Sequence, residues 1–439
     1  MKILLIGSGA REHAIARALH RSPSLTGLYA YTNSHHPGLI SLSTEYRVGD
    51  MANSQEIVAS ASHWQVDLAI IGPEAPLAQG LADALWHASI PVIGPTKALA
   101  RIETSKAFAR ELLHKYHIPG AARFQIFHDM VDVENFLHDL GEDGYVVKAD
   151  GLMGGKGVKV AGDHLHSFSE ALQYCQQLCA EQHSFVVEEK FVGQEFSLMS
   201  FCDGNSVVSM PVVQDHKRAF VNDCGPNTGG MGSYSDSNHR LPFLTAEEVA
   251  EAQHINELTF AALQKECGEK YIGILYGSFI ATKKGIAVIE FNARFGDPEV
   301  MNVLAILESD FVAVCQAMIE GRLSTTPVTF LSLATVCKYV VPHGYPDNPL
   351  KNTVIEVAAV QNKEHLYLAA VNDVAGKIVS LGSRVAAVVG VAKTIAQAEV
   401  IAEEEVQRIR GSVFHRADIG TAALIQQRIQ QMQQLRMKG

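Results

Sequence analysis

Lys148-Ala-Asp-Gly-Leu-Met-Gly-Gly-Lys-Gly157 and Ile289-Glu-Phe-Asn-Ala-Arg-Phe-Gly-Asp-Pro-Glu299 are the two stretches from which the fold is read. The first is a glycine-rich turn with two lysines, able to wrap backbone N–H groups and ammonium charge around a polyphosphate. The second reads as a strand. Because side chains alternate along a strand, Glu290, Asn292 and Arg294 fall on one face. A carboxylate and an amide oxygen there suit Mg²⁺, a hard cation that takes one or two protein oxygens and fills its shell with phosphate and water. Each stretch alone also has a plainer reading. A glycine cluster can be a simple hairpin, and alternate polar residues beside Ile289, Phe291 and Phe295 can be a half-exposed strand. Lys106 and Lys148 favour the nucleotide reading. The turn is not a Walker A loop, because Lys156 is followed by Gly157 where that loop needs Ser or Thr.

Working outward, 439 residues suggest about three domains. Apolar residues at 47% and charged residues at 19% are the proportions of a globular protein. The excess of 47 acidic over 36 basic residues gives a net charge of -11, which argues for solubility and against an extended nucleic-acid footprint. Seven cysteines without a C-x-x-C spacing indicate neither a disulfide framework nor zinc, and predict buried free thiols in a reducing cytoplasm. The nineteen histidines include no H-E-x-x-H. The apolar start, Ile3 to Ile6, is cut short by Gly7, Gly9, Arg11 and Glu12, so it does not read as a signal peptide. No run reaches the ~18 apolar residues of a membrane span, so a cytoplasmic location without membrane or nucleic-acid partners is expected.

Residues 1–102 alternate strand and helix. Strands at Ile3–Ile6, Leu68–Ile71 and Pro91–Ile93 and a helix at Arg11–His20 predict a parallel sheet with its site at the strand C-termini. Gly7-Ser-Gly-Ala-Arg-Glu12 is not a dinucleotide fingerprint. Glu12 stands where the third glycine belongs, and no Asp or Glu occurs between His13 and Thr44 to take a ribose hydroxyl. The helix start still offers free N–H groups and its dipole to a single phosphate, with a purely structural turn as the alternative. A helix is predicted over 104–117, ended by Pro119.

Residues 120–190 read as a compact unit carrying the glycine-rich turn between strands Tyr145–Lys148 and Val158–Ala161. A helix near 167–181 and a strand at Phe185–Glu188 follow, leading into Glu188-Glu-Lys-Phe-Val-Gly-Gln-Glu195. That spacing suits a hinge strand whose backbone reads adenine and whose last carboxylate accepts from ribose. Strands around 196–202 and 206–213, a long glycine-rich loop over 222–236, a capping box at Thr245-Ala-Glu-Glu248 opening a helix to about 266, and strands at 274–281 and 286–292 come next. Past Pro327 the pattern turns mostly to strands, at 333–341, 354–360, 366–371, 377–379 and 384–391, with helices at 394–409 and 421–436. Boundaries near 102 and 328 divide the chain into 1–102, 103–328 and 329–439.

Taken together, the glycine-rich turn and the metal strand resemble the ATP-grasp ligases. Gln214-Asp-His-Lys-Arg218 and Gly225-Pro-Asn-Thr-Gly-Gly-Met-Gly232 narrow the resemblance to the phosphoribosylamine-glycine ligases, or glycinamide ribonucleotide synthetases. So do Gly72-Pro-Glu-Ala-Pro-Leu77, Gly94-Pro-Thr-Lys97, Ser105-Lys-Ala-Phe108, Gly344-Tyr-Pro346 and Arg416-Ala-Asp-Ile-Gly420. The resemblance covers nearly the whole chain. It implies an α/β ATP-grasp fold with an N-terminal parallel-sheet, Rossmann-like domain, a mobile lid over about 120–190, and a mostly β C-terminal domain.

The activity it implies is ligation of glycine to 5-phosphoribosylamine by ATP through glycyl phosphate, by a monomer using Mg²⁺ or Mn²⁺. Glu290 and Asn292 would hold the metal. Lys106, Lys148, Gly154, Gly155, Lys156, Gly157, Glu188, Phe191 and Glu195 would hold ATP. Arg294, Lys217 and Asp215 would act in catalysis, and Gly9, Arg11, Glu74, Asp215, Lys217, Arg218, Asn227, Thr228, Gly229 and Asp297 would meet substrate.

The chain departs from the common bacterial pattern at Asn33-Ser-His-His-Pro-Gly38, Glu299-Val-Met-Asn302 and Gly382-Ser-Arg384, and with Gly154-Gly155 and Pro298-Glu-Val-Met-Asn-Val-Leu304 it looks more like the archaeal branch. Substrate contacts near 33–38 and 299–302 are therefore left open. Rival readings are another ATP-grasp enzyme, such as a bicarbonate-activating carboxylase, and a non-catalytic nucleotide-binding or redox protein.

Overall fold

The computed structural model describes residues 1–153 and 157–437. The N-terminal part is a five-stranded parallel sheet of β1 (Lys2–Ile6), β2 (Gly27–Thr32), β3 (Glu45–Val48), β4 (Leu68–Ile71) and β5 (Val92–Ile93), in the order β3-β2-β1-β4-β5. The order reverses beside β1, and at a reversal of this kind a crevice opens over the strand C-termini. Helix α1 (Ala10–His20) starts there. Glu12 explains the failed dinucleotide motif. Its carboxylate folds back to accept from the Gly9 N–H at 2.6 Å and packs so tightly under the turn that a Cβ at Gly7 or Gly72 would collide with it.

The next unit is an antiparallel sheet of β6 (Phe124–Phe127), β7 (Tyr145–Ala149), β8 (Val158–Val160) and β9 (Phe185–Glu189), ordered β6-β9-β7-β8, backed by helices Val133–Leu140 and Phe168–Ala180 around its own small core. The chain then lays down β10 (Gln194–Asp203), β11 (Val207–Ser209), the short strands β12 (Gln214–Asp215), β13 (Arg218–Phe220), β14 (Cys224–Asn227) and β15 (Gly232–Ser235), and the long pair β16 (Ile272–Thr282) and β17 (Gly285–Asn292). The strands β11-β10-β16-β17 form a separate four-stranded sheet, and helix Ala246–Cys267 opens with the predicted capping box at Thr245.

Six further strands follow: β18 (Ala334–Pro342), β19 (Leu366–Leu368), β20 (Val371–Val374), β21 (Lys377–Ser380), β22 (Ala386–Ala392) and β23 (Val413–His415). The largest sheet runs β12-β15-β18-β22-β19 with β23 beside β18, so it draws strands from both sides of position 328. No helix among the described residues is long and apolar enough to cross a membrane.

Three expectations change. The helix expected over 104–117 is present as Lys106–Lys115, but a second helix that was not expected, Lys97–Thr104, runs up to it and breaks at Ser105, whose extended backbone and hydroxyl cap the later helix. The expected loop over 222–236 contains β14, paired back on β13, and β15, paired on β18. Its glycines conceal these strands because the partner of β15 lies far along the chain. Residues 354–360 make only single bridges, Val354 to Val379 and Glu356 to Arg410, so the expected strand there is absent.

The departures from the bacterial pattern acquire a structural reason. Residues 34–36 dock on the C-terminal strands: the Ser34 hydroxyl donates to the Val371 carbonyl at 3.2 Å, and the His35 N–H to the Asn372 side chain at 2.8 Å. Leu368, at the sheet edge, is gripped by two buried histidines. Its N–H donates to His13 Nδ1 at 2.9 Å, and its carbonyl lies 3.0 Å from His36 Nε2. Since His36 Nδ1 accepts from the Leu39 N–H, its proton sits on Nε2 and the ring is neutral. Asn302 likewise ties helix Glu299–Ala305 to Ser233 and Thr335.

Burial pulls His36 down to about 4 and His13 well below the usual histidine value. Both rings bind a proton more readily in the unfolded chain, near pH ~6.5, so their neutral contacts stabilise the fold above that pH and lose stability as pH falls toward 4. We predict a thermal midpoint that drops steeply between pH 6.5 and 4, with a visibly shallower drop in His36→Asn. An unchanged slope in the variant would reject this role.

Candidate functional site

The site begins at a charge cluster that the sequence reading did not find. Arg110, four residues and so one helical turn beyond Lys106, is buried, and its Nε and Nη2 donate to Glu188 at 2.6 and 2.9 Å. Lys148 Nζ reaches the same carboxylate at 2.6 Å. Burial alone would raise the Glu188 carboxyl, but Arg110 and Lys148 outweigh it and hold it below the usual range. Glu188 was expected at the nucleotide. Its carboxylate instead points into this cluster and is engaged there on both oxygens. One carboxylate against two cations leaves a net positive charge beneath the nucleotide end of the cleft.

The cluster also grips the metal strand. In the pairing of β16 with β17 the register slips between Ser278 and Phe279, so Ile289 is an extra residue, a β-bulge. Its freed carbonyl accepts from Arg110 Nη2 at 2.7 Å and Lys148 Nζ at 2.9 Å. The bulge is followed by Glu290 and, two residues on, Asn292. Arg294 lies just past the strand end, and its Nη2 reaches Asn292 Oδ1 at 3.3 Å. The Glu290 carboxylate has no hydrogen-bond or ion-pair partner among the described residues. Burial would raise it, but Lys217, Lys148 and Lys106 hold it below the ordinary value and therefore ionised. A partly buried carboxylate without a partner, beside an amide oxygen and surrounded by lysines, fits a divalent cation bridging to phosphate.

Beside the glycine-rich turn, helix Lys106–Lys115 meets the end of β7 at Asp150. The Lys106 and Ala107 N–H groups donate to its Oδ1 at 2.6 and 3.3 Å, and Lys106 Nζ turns to the Gly151 carbonyl. Gly157 closes the turn, with its carbonyl accepting from the Tyr174 hydroxyl at 3.2 Å. Gly154, Gly155 and Lys156 lie outside the described residues. Phe191 is half-buried in the connection from β9 to β10, and exposed Glu195 pairs with Lys217 Nζ at 3.4 Å. Glu195, more than any other neighbour, raises the Lys217 ammonium above its usual value.

The substrate end gathers around Arg294. Its Nη2 pairs with Glu103 at 3.0 Å, a residue absent from the sequence-based set, and Glu103 also accepts from the Ala293 N–H at 2.8 Å. Glu74 sits between two guanidinium groups without a hydrogen bond to either, 3.6 Å from Arg294 Nε and 3.8 Å from Arg11 Nη1. Both Nε–H groups are buried and unpartnered. Burial works against the Arg294 charge, but Glu103 and Glu74 outweigh it. Arg11 itself caps the Gly72 carbonyl, and Gly9 stands at the start of α1. Asp215 is pushed well above the usual carboxylate range by burial and by Glu299, whose carboxylate accepts from Tyr276 and Ser197.

Lys217 and Arg218 support the glycine-rich loop. The Thr228 N–H and hydroxyl both donate to the Lys217 carbonyl, at 2.7 and 2.8 Å. Asn227 is exposed on the hairpin opposite Arg218, whose Nη2 reaches Asp163 of the lid at 3.0 Å. Arg384 closes this end. Its Nη1 donates to the Gly229, Gly230 and Asp297 carbonyls, its Nη2 pairs with Asp297 at 3.0 Å, and its guanidinium lies 4.3 Å from the centre of the Tyr339 ring. The sequence signal for it was Gly382-Ser-Arg384, noted only as a departure. Glu103 had a weaker one, its place just before Ser105-Lys106.

Comparison with known proteins agrees with this geometry. Residues 1–103, 104–300 and 335–422 match the N, ATP-grasp (A) and C domains of the phosphoribosylglycinamide synthetase family. A phosphoribosylamine–glycine ligase of Methanosarcina barkeri is 48% identical over 436 residues, spanning 99% of this chain and 100% of that protein. The ligase of Methanocaldococcus jannaschii is 46% identical over 445 residues, with the same coverage. The crystal structure of the Thermotoga maritima ligase superposes with a TM-score of 0.81 at 27% identity, covering 95% of this chain and 100% of that one. A biotin carboxylase domain of Hydrogenobacter thermophilus, at 17% identity and a TM-score of 0.71, covering 98% of this chain and 93% of its own, shares the fold alone.

Arg384 holds three carbonyls and a carboxylate, and charge-assisted bonds of this kind contribute about 1.5–3 kcal/mol each. We predict that Arg384→Met speeds amide exchange across residues 228–231 at least tenfold and leaves β16 protected. Equal protection in both proteins would show that the loop orders itself without Arg384.

Proposed function

Because the chain belongs to the phosphoribosylglycinamide synthetase family, we propose a division of labour among the residues of its cleft. The protein is an ATP-dependent ligase of purine biosynthesis that joins glycine to 5-phosphoribosylamine, forming a C–N bond. An amide cannot form directly from a carboxylate in water, because oxide is a poor leaving group. The carboxylate oxygen of glycine attacks the γ-phosphorus of ATP, ADP leaves, and glycyl phosphate results. The amine then attacks the glycyl carbonyl, phosphate departs, and the amine proton passes to a base. The observation that carries this reading is the Glu290 carboxylate, ionised yet without a protein partner, beside Asn292 and within the fields of Lys106, Lys148 and Lys217.

In this scheme ATP lies over Lys148 and the glycine-rich turn, with Phe191 against the base and Glu195 on the ribose. Mg²⁺ or Mn²⁺, held by Glu290 and Asn292, would neutralise phosphate charge during transfer. Lys106, Lys148 and Lys156 add to that neutralisation, and positioning does most of the remaining work, as in other phosphoryl transfers. Arg294 receives the glycine carboxylate on its unpartnered Nε side, where Glu74 is close but unbonded. Asp215, favoured by burial to hold a proton, is the acceptor for the amine, and Lys217 stands beside it. The phosphoribosyl group lies between the start of α1, at Gly9 and Arg11, and the loop carrying Asn227, Thr228 and Gly229, with Arg218 and Asp297 at its edges.

Residues 120–190 act as a lid that excludes water from the acyl phosphate. Their separate core and the Arg218–Asp163 contact support this. The cleft is built within one chain, which supports action as a monomer, and seven unpaired cysteines support a reducing, cytoplasmic setting.

The assay that tests the reading measures phosphate release with glycine and phosphoribosylamine supplied together and singly. Release should need both and should ignore bicarbonate. Glu290→Gln preserves volume but removes the charge, and turnover should fall by about 10³-fold at moderate Mg²⁺ with an unchanged melting profile. Near-normal turnover would remove Glu290 from the metal site. Arg294→Lys keeps a charge but loses the planar fork. We expect kcat/KM for glycine to fall about 10²-fold, ~3 kcal/mol, with KM for ATP little changed. Equal losses for both substrates, or none, would reject the carboxylate role.

A further inference from the structure

A second cavity, of about 100 Å³, opens at the far end of α1, where the N-terminal sheet, helix Glu299–Ala305 and the C-terminal segment meet. Among its lining residues are Arg17, His20, Arg21, Leu304, His365 and Tyr367. Arg17 is unusual. Its guanidinium makes no ion pair or side-chain hydrogen bond among the described residues, its Nε is out of reach of solvent and unpartnered, and it lies 6.0 Å from the centre of the Tyr367 ring. An arginine carries five N–H donors, and here no described residue accepts from any of them, with the Nε–H also shut off from solvent. Arg21 commits only Nη2, to the Leu304 carbonyl at 2.7 Å. The one acidic lining residue, Glu364, is exposed and pairs with neither arginine.

Basic residues in the last turn of a helix complement its dipole, and that accounts for their presence at the end of α1. It does not account for an arginine turned into a cavity with its donors unused. Burial lowers Arg17 from the usual arginine value, with only Tyr367 and Glu364 opposing, so the charge is poorly compensated where it sits. Burial also lowers His365, opposed by Glu364 and reinforced by the charges of Arg21 and Arg17. Water occupies ~30 Å³ per molecule in the liquid, so the cavity holds about three waters or one tetrahedral oxyanion in their place.

We propose that this cavity is an anion site for a single phosphate group, either the free ion or the phosphate of a monoester. A guanidinium fork matches two oxygens of such a group, Arg21 adds a second positive charge, and the ring nitrogens of His20 and His365 offer further hydrogen-bonding positions. The site is separate from the ligase cleft. Arg11 and Arg17 are six residues apart, about 9 Å along the helix at ~1.5 Å per residue, so the cavity lies behind the end of α1 that faces substrate. Because the lining comes from four separate stretches of chain, a bound anion would fasten α1 to Leu304 and to residues 364–367.

The test uses the full chain with its nucleotide site filled by a non-hydrolysable ATP analogue. Inorganic phosphate is titrated calorimetrically in the wild type, Arg17→Met, Arg17→Lys and Arg11→Met. We expect Arg17→Met to weaken one class of phosphate binding at least tenfold, Arg17→Lys to weaken it less, and Arg11→Met to leave that class intact. Ligation in phosphate-free buffer should stay within about twofold of wild type in Arg17→Met. AMP added to the analogue-filled protein distinguishes the sources: displacement of phosphate at lower concentration identifies a monoester site, and failure to compete identifies the free ion. Identical stoichiometry and affinity in wild type and Arg17→Met, or no binding in the wild type, would overturn the proposal.

Discussion

The buried cluster of Arg110, Glu188 and Lys148 is the constraint on which the rest of the cleft depends. Removing three charges from water is costly, and the cost is recovered only when every polar atom finds a partner. Satisfying that demand brings together helix Lys106–Lys115, two strands of the lid sheet and the bulge of the metal strand. It also fixes the chemistry. A cluster with one carboxylate and two cations carries net positive charge, and that charge, with Lys217 and Lys106, keeps Glu290 ionised. The fold and the ATP end of the reaction therefore share one interaction.

The opposite end is assembled by backbone carbonyls. Arg384, from the C-terminal sheet, collects those of Gly229, Gly230 and Asp297, and so joins a loop, a helix start and a sheet that are distant in sequence. The two histidines around Leu368 and the Ser34 to Val371 contact do the same for the N-terminal sheet. These contacts are buried and specific, as a cleft that must hold two substrates within bonding distance requires. The lid is fastened differently. Its contact through Asp163 to Arg218 is between partly exposed groups, and pairs of that kind contribute about 0.2–1 kcal/mol. A contact this weak is what the proposed lid motion of residues 120–190 would need.

Much of this was legible from residues alone. The strand alternation at Glu290, Asn292 and Arg294, the capping box at Thr245 and the parallel rhythm of the first 102 residues are local patterns, written at periods of two and 3.6. Glu12 in place of a third glycine argued against a dinucleotide, and in the structure its carboxylate takes the Gly9 N–H at the turn. Where the reading missed, the cause was a distant partner. Strand β15 looked like loop because it lies between β12 and β18, the latter about 100 residues on, and pairs with both.

The sequence by itself determined the kind of chemistry, because carboxylate, amide and lysines at strand and turn spacings carry their function in their own covalent structure. Only the tertiary structure decided what each charge is for. Glu188 reads in sequence as a nucleotide ligand and is, in the folded chain, the anchor of Arg110 and Lys148. Arg110 has no motif, and Glu103 and Arg384 carry only weak ones; all three matter because folding delivers them to Glu188, Arg294 and the Gly229 carbonyl. A buried charge must be neutralised by whatever the fold brings within about 4 Å, and that neighbour is chosen by packing across the whole chain, which no local pattern encodes.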